Sequence, residues 1–231
     1  MSKAYNRVNW NFLKAVLLSM NFGSTWVNWI MECISTVQYS LLVNGSPSKP
    51  FHSSRGLRQG DPISPYLFLF CANILSLALT KEENQKNLKG VKIGRNGLSF
   101  THILFVDDSF IFFQNDNRSF IALKKKTILW YCSLSGQFTN FNKSELFCSP
   151  NIDPGIQDSL ASSLQVKLVQ DPSKYLGINF KLRGNRISNF QDIIDRVKTS
   201  GLEGKSAVLS WQMYLDLLCS SLHASIFLCL F

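Results

Sequence analysis

The order of helix and strand signals along this 231-residue chain predicts an α+β fold, a small antiparallel sheet backed by helices. Three observations predict it. Apolar residues at helical spacing fill the first third of the chain. Strand and hairpin signals crowd the stretch from Val91 to Phe113, and helical spacing returns after Asn117. Strands that come as a block joined by tight turns are not the alternation a doubly wound parallel sheet needs. The chain shows no internal repeat and no low-complexity linker.

Each element has its own signal. Leu13, Val16, Leu17 and Met20 recur at helical spacing, with Asn9 as N-cap and Gly23 as the stop. A second amphipathic stretch after Ser24 carries Val27, Ile30, Met31 and Ile34. Val37 to Val43 reads as a strand, and Asn44-Gly45 closes a hairpin because both residues accept positive φ. Ser64-Pro65 is expected to cap a helix reaching about Leu79, with Pro65 in the first turn, where its missing N–H costs nothing. Val91–Ile93 and Leu98–Val106 flank a turn at Gly94-Arg95-Asn96-Gly97, and Ser109–Phe113 forms the next apolar strand. A helix runs from about Asn117 to Ser135 and ends at Gly136. A short strand near Leu146, a helix after Asp153, a strand at Tyr175–Phe180 and helical segments to the end complete the reading.

The apolar fraction, 45%, is enough for a core, and 24 Lys and Arg against 15 Asp and Glu leave a net charge of +9. That surplus suits nucleic acid, because cations on the protein release counterions from phosphates; ordinary solubility charge is the alternative. The six cysteines are dispersed and form no C-x-x-C pair, so a zinc site is not expected. Several sit in apolar runs, which reads as buried thiols of an intracellular protein, nucleus and cytoplasm left open. The first residues lack the apolar run of a signal peptide. The apolar tail from Ala207 is interrupted by Gln212, Asp216 and His223, which argues for a buried helix pair, or an end cut loose from its partners, rather than a membrane span.

Two segments carry chemistry. Asp107-Asp108 falls at a tight turn between Ile103–Val106 and Phe110–Phe113. Adjacent carboxylates are often a solvated turn. Beside so much apolar surface they need compensation, and hard carboxylate oxygens suit Mg²⁺. Arg55-Gly56-Leu57-Arg58-Gln59-Gly60 precedes a helix start and offers cations, flexible backbone and N–H donors to phosphate or a template strand; a generic loop-to-helix junction is the other reading.

Four blocks in order resemble the reverse transcriptases of LINE-type (non-LTR) retrotransposons, especially plant ones. They are Arg55–Phe68 (RGLRQGDPISPYLF), Thr101–Ser109 (THILFVDDS), Ser135–Ser144 (SGQFTNFNKS) and Tyr175-Leu176-Gly177. The resemblance implies an incomplete palm over residues 1–180 and the start of a thumb-like helical region over 181–231. It implies Asp107 and Asp108 as the metal-binding pair for Mg²⁺, and Lys143 as the residue that protonates departing pyrophosphate. Arg55, Arg58, Gln59 and Gly60 would contact template and nucleotide, Tyr5 would gate the nucleotide sugar, and Tyr175-Leu176-Gly177 would grip the primer. RNA template, DNA primer and deoxynucleotides are the implied partners, with no membrane and no obligate protein partner inferable.

One departure bears on activity. The family's first block reads D-x-S-K-A-Y-D, and Ser2-Lys3-Ala4-Tyr5 matches it from the third position on, so the sequence opens one residue after the aspartate that completes the metal site. Asn6 stands where the second acidic residue is common. The polypeptide as given is therefore expected to lack fingers, to leave a sheet edge unpaired and to be inactive. The alternatives are a non-catalytic nucleic-acid-binding remnant and a non-functional pseudogene product.

Overall fold

The computed structural model describes residues 4–92, 99–105, 108–170 and 225–230. The chain divides into two compact units. One comprises the chain up to Lys81 with Leu123–Thr139, the other Glu82–Ala122 with the chain from Asn140 onward.

The first unit is mostly helical. A single turn, α1 (Ala4–Arg7), leads into α2 (Trp10–Ser19), where the Asn9 side chain accepts hydrogen bonds from the Asn11 and Phe12 N–H groups, the expected cap. Leu13, Val16 and Leu17 are buried as predicted, but α2 ends at Ser19 rather than at Gly23, leaving Met20 exposed. Asn21 takes the positive φ that stops it, and Gly23 caps the next helix, α3 (Ser24–Ser35), which buries Val27, Ile30 and Ile34. The strand expected over Val37–Val43 is broken at Ser40-Leu41. Its halves, β1 (Gln38–Tyr39) and β2 (Leu42–Val43), form separate antiparallel pairs with β4 (Phe51–His52) and β3 (Ser46–Pro47). Asn44 (φ 50°) and Gly45 (φ 79°) make the turn the sequence predicts.

Helix α4 spans Ser64–Asn84, longer than expected, and Leu67, Cys71, Leu75 and Leu79 form its buried stripe at four-residue intervals. It is long and apolar enough to cross a membrane, a test that core helices also pass. Ser64 does not cap it. Its hydroxyl is buried without a hydrogen-bond partner, while Asp61 accepts from the Ile63 N–H and Ile63 O accepts the first helical bond.

The second unit holds the sheet. The small ladder β5 (Val91–Lys92) with β6 (Ser99–Phe100) precedes β7 (His102–Phe105) and β8 (Asp108–Gln114), so the strand expected over Leu98–Val106 breaks at Thr101. Residues 117–135 are helical, as expected, with an unforeseen middle. Helix α5 (Asn117–Ile121), capped by Asp116, passes into a π-helical stretch, Ala122–Leu129, and then α6 (Trp130–Ser135), which Gly136 ends at φ 74°. Ala122, Leu123, Thr127 and Ile128 are buried along the π-helical stretch.

Strand β9 (Glu145–Cys148) and α7 (Pro154–Leu164, capped by Asp153) follow as predicted, and β10 (Lys167–Val169) was not foreseen. The helical ending predicted for the chain is corrected at Ser225–Leu230, a strand, β11. A six-residue apolar run without Gly or Pro serves a central strand as well as a buried helix, and here it pairs with two apolar strands, β8 and β9. The sheet order is β10-β9-β11-β8-β7. It is mixed rather than antiparallel, because β10 runs parallel to β9. Strand β8 is paired on both sides, with β7 on one and with β11, from Gln114↔Ser225 to Ser109↔Leu230, on the other. The triplet Tyr175-Leu176-Gly177, expected to grip the primer, and residues 181–224 of the region expected to be thumb-like lie outside the described residues.

Candidate functional site

In the first unit the arginine–glycine loop is held by backbone bonds to the segment around Tyr5. Leu57 N–H donates to Tyr5 O (2.8 Å), Gly56 N–H to Val8 O (2.8 Å), and the Trp10 indole to Gly56 O (2.7 Å). Gly56 sits at φ +94°, where a Cβ would lie 2.8 Å from Asn6 O, so only glycine fits. Gly60 has φ +90° with open space around it. Leu57 is buried as the anchor, which leaves Arg55, Arg58, Gln59 and Gly60 exposed. The Tyr5 ring stacks on Phe68 of α4 at 4.8 Å and 13°. Tyr5 and the loop predicted to bind template and nucleotide are therefore brought together.

Sequence reasoning missed what locks this arrangement. The buried Gln137 side chain donates to Ala4 O (2.9 Å), Asn9 N–H donates to Ser135 O (2.9 Å), and a Cβ at Gly136 would meet Arg7 O at 2.6 Å. The Arg7 guanidinium lies 5.3 Å from the Phe138 ring centre. The Ser-Gly-Gln run was read as a motif without a task; it clamps the backbone that carries Tyr5. No local pattern announces a partner so far away in the chain.

The charge is unevenly placed. Glu32 and Asp61 are the acidic residues among those described in the first unit, whose cations include Arg7, Lys14, Arg55, Arg58 and the run Lys124–Lys126.

In the second unit Asp108 opens β8, half-buried and opposite Phe105, and Asp107 lies outside the described residues. Lys143 is exposed in the turn Asn140–Ser144, where Asn140 O accepts from the Lys143 and Ser144 N–H groups. The register places this turn. β11 runs antiparallel to both β8 and β9, so Ser109 (opposite Leu230) and Glu145 (opposite Cys229) start their strands at the same end of the sheet. Asp108 and the Lys143 turn thus share one end, about two strand spacings (~10 Å) apart. Among the described residues no group of three or more His, Cys, Asp or Glu is placed to hold a metal ion. The donors fit Mg²⁺ in kind, as hard carboxylate oxygens, and fall short in number.

The family model for reverse transcriptase (RNA-dependent DNA polymerase) matches residues 1–180. The chain belongs to the reverse transcriptase family. A segment of 68 residues, 29% of the chain, is 43% identical to an uncharacterized mitochondrial protein of Arabidopsis thaliana. The match covers 56% of that relative's length. In this reverse transcriptase family member, the family match takes in both units' candidate residues, from Tyr5 to Gly177.

Proposed function

We propose that the chain is reverse transcriptase sequence of a LINE-type, plant-like retrotransposon, with residues 1–180 contributing part of a palm and 181 onward the start of a thumb-like region. The observation that carries this reading is Asp108 and the Lys143 turn at one end of the sheet, within a chain that matches the family over residues 1–180.

Each residue has a task there. Arg55 and Arg58, exposed on a loop held by Leu57, neutralise phosphates of the template or nucleotide. Gln59 and Gly60 approach the nascent base pair, and the Tyr5 ring, fixed by Phe68, limits the volume at the nucleotide sugar. Lys143 gives its proton to departing pyrophosphate, and Tyr175-Leu176-Gly177 holds the primer end. Asp107 and Asp108 would hold Mg²⁺, which supplies charge neutralisation at phosphate and activation of the 3′-hydroxyl. Two adjacent carboxylates on one turn are half of such a site, so the 231-residue polypeptide binds substrate without extending it.

The test is primer extension on an RNA template with Mg²⁺ or Mn²⁺, run beside salt-dependent binding of the same RNA–DNA duplex. The expected result is duplex binding that weakens as salt rises, with no extension. Extension that Asp107→Ala abolishes would refute the inactivity, and absence of salt-sensitive duplex binding would refute the nucleic-acid reading. A non-catalytic nucleic-acid-binding role is the second reading, favoured by the concentration of cations in the first unit.

A further inference from the structure

Proline follows serine three times in the sequence, at Ser46-Pro47, Ser64-Pro65 and Ser149-Pro150, and the fold treats the three differently. Ser64 opens helix α4 and is 1% exposed; Ser149, just past β9, is 2% exposed. Ser46 is exposed, on the strand that leaves the Asn44-Gly45 turn. The hairpin around it stands out in solvent, with Leu41 62%, Leu42 78% and Val43 59% exposed. Two residue pairs close it, Leu42↔Pro47 and Val43↔Ser46. Beyond them Ser48 N–H donates to Leu41 O (2.7 Å) and Leu41 N–H to Ser48 Oγ (2.9 Å). Pro47 has no N–H to add. So short and exposed a ladder opens locally at little cost. The third residue after each serine also differs. Lys49 follows Ser46 and is exposed, whereas Leu67 follows Ser64 and Ile152 follows Ser149, both buried.

We infer that Ser46 is a phosphorylation site for a proline-directed serine kinase that also reads a cation three residues on, and that the phosphate weakens nucleic-acid binding by the Arg55–Arg58 loop. Pro47 offers such a kinase a fixed φ and no N–H, and the Lys49 ammonium offers a charge to pair with acidic groups of its substrate groove. In the transfer, Ser46 Oγ bonds to the γ-phosphorus of Mg-ATP and the bond from that phosphorus to the bridging oxygen breaks. ADP leaves, and the hydroxyl proton passes to the kinase's catalytic carboxylate. The product carries about −1.5 to −2 charges at pH 7, set against a net charge of +9. The nine residues from Ser46 to Arg55 span at most ~30 Å. That is about one screening length at ~0.01 M salt and several at ~0.15 M. The phosphate therefore opposes the duplex phosphates at low salt and is screened from them as salt rises. The binding half of this inference rests on the nucleic-acid reading of Arg55 and Arg58; the phosphorylation half does not.

The experiment incubates the full chain with Mg-ATP and a purified cyclin-dependent kinase, and maps phosphopeptides by mass spectrometry. Phosphate is expected at Ser46, with Ser64 and Ser149 unmodified. Ser46→Ala should abolish the incorporation, and Pro47→Ala and Lys49→Ala should each slow it about tenfold or more. All three replacements lie on the exposed hairpin, and circular dichroism checks that each variant keeps the wild-type fold. No phosphate at Ser46, as much at Ser64 or Ser149, or an undiminished rate in Pro47→Ala overturns the site. Binding of the RNA–DNA duplex is then compared before and after phosphorylation. A loss of about threefold or more at ~0.01 M salt, fading at ~0.15 M, is expected. Equal affinity at ~0.01 M salt overturns the binding half and leaves the site standing. No duplex binding before phosphorylation refutes the nucleic-acid reading, and the binding half with it, while the mapped phosphate still decides the site.

Discussion

Two glycines of one loop make a controlled experiment on why the Arg55–Gly60 segment is shaped as it is. Gly56 and Gly60 have nearly the same φ, +94° and +90°, so replacement by alanine imposes a similar left-handed strain, about 1–2 kcal/mol, at each. The gain from a stiffer unfolded chain, about 0.4–1 kcal/mol, is also common to both and cancels in the comparison. What differs is space. A Cβ at Gly60 meets nothing within 4 Å, whereas at Gly56 it lies 2.8 Å from Asn6 O and 3.0 Å from Asn6 C and Cα. Those are backbone atoms that cannot rotate away, so the docked segment must shift, adding about 1–3 kcal/mol as overpacking does elsewhere. Gly56→Ala should therefore cost about 2 kcal/mol more than Gly60→Ala. Urea unfolding followed by tryptophan fluorescence reads this, aided by Trp10, whose indole donates to Gly56 O. With a urea slope of about 1–3 kcal/mol/M, the Gly56 variant should unfold roughly 1 M earlier than the Gly60 variant. Midpoints that coincide within about 0.3 M would refute the claim that the loop is docked against Asn6.

The other predictions draw on different parts of the molecule. Leu228→Asp puts a charge at a buried position of the central strand and should cost about 3 kcal/mol or more, giving a broad melt with dye-accessible apolar surface; a wild-type melt would show that β11 is not seated between β8 and β9. Burial pushes the Cys71 thiol up to about 12 and the Cys148 thiol up to about 11. Both should resist a thiol reagent at pH 8 until urea is added, while exposed Cys33 reacts at once. Because these folded values lie above the ordinary thiol value of 9.0, their contribution to stability is full below pH 9 and is lost as pH rises towards 11 and 12; a stability that holds steady from pH 8 to 11 would contradict it. Replacing Arg55 and Arg58 together by alanine should reduce the log–log salt slope of RNA–DNA binding by about 2, one per lost phosphate contact, and an unchanged slope would place the nucleic acid elsewhere.

Local chemistry in the sequence was a reliable guide wherever the partners were neighbours. Asn9 capping α2, Asp153 capping α7, the Asn44-Gly45 turn and the αL stop at Gly136 each depend on a few adjacent residues, and each stands where the sequence puts it. Ser64 failed by a short distance: the Asp61 side chain accepts from Ile63 N–H just before the helix, and the serine hydroxyl is buried without a hydrogen-bond partner. The larger errors came from partners distant in the chain. An apolar run such as Ser225–Leu230 is compatible with helix or strand, and only the open edges of β8 and β9 decide between them. At the candidate site, the sequence placed Asp108 at a tight turn between two strands and did not foresee that Tyr5 O accepts from Leu57 N–H of the glycine loop. It was silent on Gln137, whose bond to Ala4 O spans almost the whole first unit.

The position of β11 also has a kinetic consequence. Strands β7 and β8 follow each other directly in sequence and can pair as soon as both exist, while β8 must wait for residues far along the chain before its second edge is covered. Contacts of such long sequence separation raise contact order and slow folding. On a translating ribosome the nascent chain would carry an apolar, half-paired hairpin until residues 225–230 emerge. Chaperone dependence during synthesis should accordingly track the arrival of β11 rather than the formation of the helices.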